Sequence, residues 1–217
     1  MTRRRKKATV DCRPLTVDYK YTMITIKKVN SRKELKQFIR FANELYNDNP
    51  YYTPCLEFDE LNTFDTKKNP ALDHSKFANF LAYKDGKIVG RITAIINELA
   101  NEHWGCKKVR FGWFDFIDDY EVSKALLDAA ADWGRQHGMT AMNGPVGFTD
   151  FDHQGLLLEG YDYISPMISL YNYPYYVDHF DKYGLVKEAD WIEFLVSTPH
   201  QIPEKMERVA KIVMEKY

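Results

Sequence analysis

At 217 residues with 45% hydrophobic and 15% aromatic side chains, the chain can bury a sizeable core, which excludes wholesale disorder. A formal net charge of −1 gives no global argument for nucleic acid or an anionic membrane as partner. No apolar run approaches a membrane span, and Cys12, Cys55 and Cys106 are too scattered for a disulfide framework, so a reducing, cytoplasmic setting is expected.

Residues 1–22 read as a basic extension, in which Arg3, Arg4, Arg5, Lys6 and Lys7 stand together without the apolar segment of a secretory signal. Ile24 to Val29 alternates and is β-branched, the pattern of a strand. Ser31 with Glu34 three residues later makes a capping box, and Leu35, Phe38, Ile39, Ala42 and Leu45 form the buried stripe of the helix that follows. From Tyr51 to Lys76 the pattern is irregular, broken by Pro54 and Pro70, with a short helix over Glu57 to Phe64. A connection this long either borders a site or lays its tyrosines over the core. Phe80 to Tyr83 and Ile88 to Ile96 are the strands of a hairpin turned by Asp85 and Gly86, and Asn97 to Lys108 is a polar connection.

Phe111 to Pro145 is the stretch around which the chain is organised. Phe111 to Ile117 is apolar enough to be a strand covered on both faces. Val122, Leu126, Ala129, Ala130 and Trp133 then make one helical stripe, with Asp118 as N-cap, Glu121 three residues on, and Gly138 as the left-handed stop. The strand after it should lie parallel to the first, through a right-handed crossover. Backbone N–H groups at such a strand-to-helix turn attract anions.

Phe148 to His153, FTDFDH, leaves the end of the fifth strand. Asp150, Asp152 and His153 together have the chemistry to deprotonate an amine; the competing reading is an Asx-turned loop with a surface histidine. The six histidines never stand at metal-ligand spacing, and no CxxC, GxSxG, P-loop or dinucleotide fingerprint occurs, so no metal site is expected. Trp191 to Val196 reads as a last strand, closing a domain over 23–198. Residues 199–217 read as the start of a helix that ends without a stop signal, as expected where a further segment follows.

Several of these segments, taken together, resemble one family. They are Asn69-Pro70 with His74, the hairpin FLAYKDGKIVGRITAIIN, the run ALLDAAADWGRQHGMTAMNGP, and then GLLLEGYD and YNYPYYVDHFDKYGL. They resemble the GNAT superfamily of acyl-CoA N-acyltransferases, and more closely a bacterial GNAT-like family of longer proteins, of which this chain looks like the N-terminal half. The resemblance covers residues 24–196. It implies an α/β fold with a mixed, mostly antiparallel sheet, split between its fourth and fifth strands and flanked by helices. It also implies acetyl-CoA or another acyl-CoA as co-substrate in that split, and a small-molecule or peptide amine as acceptor. Phe116, Ile117, Asp118 and Asp119 occupy the positions that would hold the thioester carbonyl and the pyrophosphate, and Asn143 and Gly144 those that would contact the pantetheine arm.

Two departures stand beside the resemblance. The turn from Ile117 to Glu121 has no glycine, and the carboxylates of Asp118, Asp119 and Glu121 repel a pyrophosphate. The family's tyrosine that protonates the departing thiolate is replaced by Phe180, four residues before Gly184; Tyr176, one helical turn earlier, and Tyr183 are the alternatives. Two readings follow. One is an N-acyltransferase, with the carbonyl held by a backbone amide near Ile117, the amine deprotonated through the Asp150–His153 loop and Tyr176 as acid. The other is a non-catalytic module that binds a partner or supports a second GNAT-like half.

Overall fold

A ten-residue and an eleven-residue strand, β2 (Ser75–Lys84) and β3 (Lys87–Asn97), form the hairpin at the centre of the sheet. Its turn needs positive φ at both central positions, and Asp85 and Gly86 supply 51° and 77°. β1 (Thr25–Lys28) pairs with β2, and β4 (Lys108–Phe116) with β3, all antiparallel; β5 (Ala141–Asn143) pairs parallel to β4 at the other edge. The computed structural model describes residues 23–164, 169–194, 196–197 and 200–216; the basic block Arg3 to Lys7, Cys12, Leu195 and Pro199 lie outside them.

Alternation sorts the sheet into two faces. Along β2, Ala78, Phe80 and Ala82 join the cluster built on α4 (Tyr120–Gln136), while Phe77, Leu81 and Tyr83 join the cluster built on α1 (Arg32–Leu45). In β4 the parity changes midway: Val109 and Phe111, then Phe114 and Phe116, all pack toward α4. One inserted residue explains the change. Between the pairs Arg91↔Asp115 and Thr93↔Gly112, β3 has one residue and β4 has two, and Trp113 sits there at φ 44°. This is a β-bulge, and it turns the Trp113 ring to the face carrying α1 and α2 (Glu57–Thr63).

The helix ends follow local chemistry. Ser31 and Glu34 make the expected reciprocal capping box on α1. On α4 the N-cap is Asp119 rather than Asp118, because the Asp119 carboxylate reaches back to the Glu121 N–H, and Gly138 at φ 80° follows the last turn. Two short elements lie where the sequence pattern reads only as connection. Asn69 caps a 3₁₀ turn over Pro70–His74, and Asn97 caps α3 (Glu98–His103). α5 (Tyr175–Tyr183) ends at Gly184, φ 90°, and packs Tyr176 and Phe180 into the α4-side core.

Val186–Tyr217 is a second compact unit. Trp191 to Phe194 and Val196 are not strand, contrary to the expectation from their apolar run: a strand exists only where its backbone groups find an edge to bond. Its helix, α6 (Glu204–Lys216), buries no residue.

α4 lies so close to β4 that a methyl at Gly134 would meet Val109 Cγ1 at 2.5 Å. Alanine gains about 1 kcal/mol of helix propensity over glycine, whereas overpacking costs about 1–3 kcal/mol. Gly134→Ala is therefore expected to lower stability in urea unfolding, and Val109→Ala in the same chain to recover part of the loss; a stabilised single variant would show that the contact is soft.

Candidate active site at the divergence of β4 and β5

Only Lys108, Val109 and Arg110 of β4 pair with β5, through Ala141, Met142 and Asn143. The chain then turns away at Gly144, and the Val146 N–H takes the Phe111 carbonyl at 2.8 Å. Gly144 must be glycine, since a Cβ there would stand 2.3 Å from that same carbonyl oxygen. Beyond Phe111 the two strands part, and β4 runs on through its bulge to Phe116.

α5 covers the far end of that edge. Tyr176 Oη accepts the Phe116 N–H at 3.2 Å, and Tyr175 Oη donates to the Phe116 carbonyl at 2.5 Å. Two phenols thus fill the bonds that a fifth strand would make. Tyr176 Oη lies 2.7 Å from Tyr46 Oη, and Tyr46 donates to Asp115 Oδ1 at 3.2 Å. Asp115 Oδ2 accepts from Arg91 Nε at 2.7 Å, and Arg91 Nη1 donates to the carbonyls of Phe38 and Ile39. Asp115 has no proton to give while paired, so Tyr46 must donate to it and Tyr176 to Tyr46. Polarity is therefore fixed along the whole chain, from the Phe116 amide to the carboxylate.

The whole network is buried. Burial, reinforced by the neighbouring phenol and by Asp115, pushes the Tyr46 hydroxyl well above the ordinary tyrosine value; burial and Asp115 do the same to Tyr176. Burial alone would ease the proton off Arg91, but Asp115, with Glu60 beyond it, more than compensates and holds it charged. Removing either member of such a pair strands the other, at about 3–5 kcal/mol.

The bulge itself lies between these anchors. On the α2 side Trp113 Nε1 donates to Glu60 at 2.6 Å, and its ring packs on Phe64 and Phe148, 5.0 and 5.5 Å between centroids. A bulge leaves backbone groups off the ladder. At the end of β5, the Oδ1 of Asn143 is buried and has no hydrogen-bond partner among the described residues. An unpaired buried acceptor is costly unless something donates to it.

The turn between β4 and α4 is closed on itself. Asp119 accepts from the Glu121 N–H at 3.0 Å through one oxygen and from Lys84 Nζ at 2.7 Å through the other. Burial would raise its pKa, yet those bonds win and hold it below the usual carboxylate value. His179 of α5 lies 3.1 Å from Asp118 Oδ1 through Nε2 and 2.9 Å from Ser123 Oγ through Nδ1, with its ring stacked on Phe116. Ser, His and Asp stand in triad order here, but Ser123 is fully buried within α4 and also donates to the Tyr120 carbonyl. The arrangement fastens α5 to the turn.

The structure therefore separates the residues singled out from sequence. Phe116 and Asn143–Gly144 flank the divergence. The Ile117 N–H is bonded to Val89 at 3.0 Å, so it is committed to the sheet and cannot hold a carbonyl oxygen. Tyr176 is engaged likewise: its buried hydroxyl lies 2.7 Å from Tyr46 Oη and accepts the Phe116 N–H. Asp118 is exposed and Asp119 is the helix cap. In the Phe148–His153 loop, Asp152 accepts from the Thr149 N–H at 2.8 Å and Thr149 Oγ1 from the Phe151 N–H at 3.2 Å, while Asp150 and His153 are exposed. Among the described residues no three His, Cys, Asp or Glu side chains gather as metal ligands, and no helix is long and apolar enough to cross a membrane. Sequence reasoning passed over Arg91, Asp115, Tyr46 and Trp113. Single opposite charges inside two adjacent apolar strands, RITAII and FGWFDF, were the available signal for the first two.

No family model matches the sequence. Over 160 residues it is 38% identical to protein YghO of Escherichia coli (strain K12), covering 74% of this chain and 41% of that protein. Over 190 residues it is 30% identical to the bacterial ceramide synthase of Caulobacter vibrioides, covering 87% of this chain and 49% of that protein. The chain thus spans less than half the length of these curated relatives. Among solved structures it is similar to an aminoglycoside acetyltransferase from a soil metagenomic sample, in complex with sisomicin, at TM-score 0.47 and 13% identity over 81% of this chain and 97% of that one. It is also similar to the aminoglycoside N-acetyltransferase AAC(6')-Iy in complex with CoA, at TM-score 0.44 and 16% identity over 81% and 95%.

The Asp119 cap carries a pH signature. A carboxylate whose pKa is depressed by folding stabilises the fold above its unfolded value, about 3.9, and loses that contribution as pH falls through the lower folded value. Asp119→Ala is expected to cost about 1 kcal/mol near neutral pH. In denaturant titrations the gap to the wild type should close below about pH 4; a gap independent of pH would mean the carboxylate is not the capping group.

Proposed function

We propose that this GNAT-like α/β domain transfers an acyl group from an acyl-CoA thioester to an amine. The observation that carries the reading is the β4 bulge at Trp113 and Phe114, which follows the last residues paired with β5, together with the unpartnered acceptor of Asn143 at the end of β5. A thioester carbonyl lying along this edge meets backbone donors freed from the ladder, and Asn143 Oδ1 can accept an N–H from the pantetheine arm or from the amine. With the Ile117 amide committed to Val89, the donor to the carbonyl oxygen moves back to the bulge.

In the proposed reaction the neutral amine nitrogen attacks the thioester carbon. Its C–N bond forms as the C–S bond breaks, and the amine's proton goes to a base while the thiolate leaves and takes up a proton from water. His153 is the proposed base. It lies on the exposed loop that begins at Phe148, the ring packed on Trp113 of the bulge, and Asp150 beside it attracts an ammonium group. The 30% identity to a ceramide synthase supports a long-chain amino alcohol as acceptor, a ceramide being the N-acyl amide of such an amine. The alternative, a domain that supports a second half, draws on the relatives, of whose length the match covers 41% and 49%.

Thiol release tests the reading. Acetyl-CoA or palmitoyl-CoA mixed with the protein should release CoA thiol only when sphinganine or a simpler primary amine is present; no amine-dependent release from either donor refutes it. His153→Ala should slow release by about a hundredfold or more, and an unchanged rate would remove the loop from the chemistry.

A further inference from the structure

The strand-to-helix turn that would meet the nucleotide end of a CoA donor does not fit it. Four observations agree. The Asp119 carboxylate already accepts the first free amide of α4, from Glu121. Its other oxygen holds Lys84, and Lys182 lies over the ring of Tyr120, the first residue of α4. Asp118 projects beside it and is held by His179, which also ties α5 across the turn. The Phe116 N–H and C=O, next along the edge, are taken by Tyr176 and Tyr175. A pyrophosphate entering here finds its amide and cation occupied by a carboxylate of the protein and meets two more, Asp118 and Glu121. A pantetheine thioester, by contrast, is neutral and is not repelled by these carboxylates.

Resting on the acyl-transfer reading, we propose that the donor is recognised by its thioester and pantetheine arm alone, the nucleotide contributing nothing to binding. The substrate class is then an acyl-pantetheine thioester, whether carried on CoA, free, or on a carrier protein. Asp119 is the residue that excludes the phosphates: it is at once the helix cap and the anion that sits where they would bind.

The test compares donors that differ only beyond the pantetheine, with a fixed amine acceptor. Acetyl-pantetheine and acetyl-CoA should give kcat/KM values within about threefold of each other in the wild type. A preference for acetyl-CoA of about a hundredfold, roughly the 2–3 kcal/mol that a gripped pyrophosphate would supply, overturns the proposal. Turnover of neither donor, nor of the corresponding palmitoyl pair, instead refutes the acyl-transfer reading itself. Asp119→Ala frees the α4 amides and Lys84, and is expected to raise the preference for acetyl-CoA roughly tenfold. Asp119→Asn keeps a capping side chain and removes the charge, and should give a smaller rise. If both variants keep the wild-type ratio, Asp119 is not the excluding group and the assignment falls.

Discussion

A guanidinium and a carboxylate sealed inside an apolar sheet need every remaining donor and acceptor answered, and that need ties this domain together. Arg91 and Asp115 face each other in register across β3 and β4, immediately after the bulge. Arg91 donates from Nη1 to two carbonyls of α1, and the other oxygen of Asp115 accepts from Tyr46, at the end of α1. Through Tyr46 the same charge orients Tyr176 of α5, and through Tyr176 the Phe116 amide. Four elements are thus held by one polarised chain. A buried pair rarely adds net stability over apolar packing, but a fully satisfied one penalises any register other than its own. Here the register it fixes is that of the bulge.

The open edge of β4 is consequently short. Val146 occupies it at Phe111 and the two tyrosines occupy it at Phe116, leaving the bulge between them. α4 begins just past Phe116, and in many strand-to-helix turns its first amides would extend the ligand site toward an anion. Asp119 converts those amides into a cap, so the same helix start that could bind phosphate is spent on stabilising itself.

What could be read from sequence was local. The capping box of Ser31 and Glu34, the Asp85–Gly86 turn, the stripe of α4 and the parallel β4–β5 crossover depend on neighbours three or four residues apart, or on a single period, and all are present. Asp118 and Asp119 are equivalent by residue type, and only the path of the backbone makes the second the cap. The bulge was hidden because its signal is a tryptophan at positive φ, a conformation that sequence assigns to glycine or asparagine. From sequence Tyr176 is a candidate acid by its place one turn before Phe180; its hydrogen-bond partner, Tyr46, lies 130 positions away and leaves no local sign. The apolar run at Trp191 looked like a strand because periodicity reports composition and not the presence of an edge.

The loss of Tyr176 as an acid weakens the acyl-transfer reading less than it first suggests. A general acid works best with a pKa near the pH of the reaction, and burial drives both Tyr176 and Tyr46 the wrong way. A pantetheine thiol, like a cysteine, has a pKa of about 8.5, so its thiolate leaves at neutral pH without protonation being forced on it. The harder demand is on the incoming amine, which must be neutral to attack, and on the oxyanion, which must be held. In the proposed reaction the bulge would meet the second demand, and Tyr176, bonded to Tyr46 and to the Phe116 amide, holds the end of β4 just beyond it.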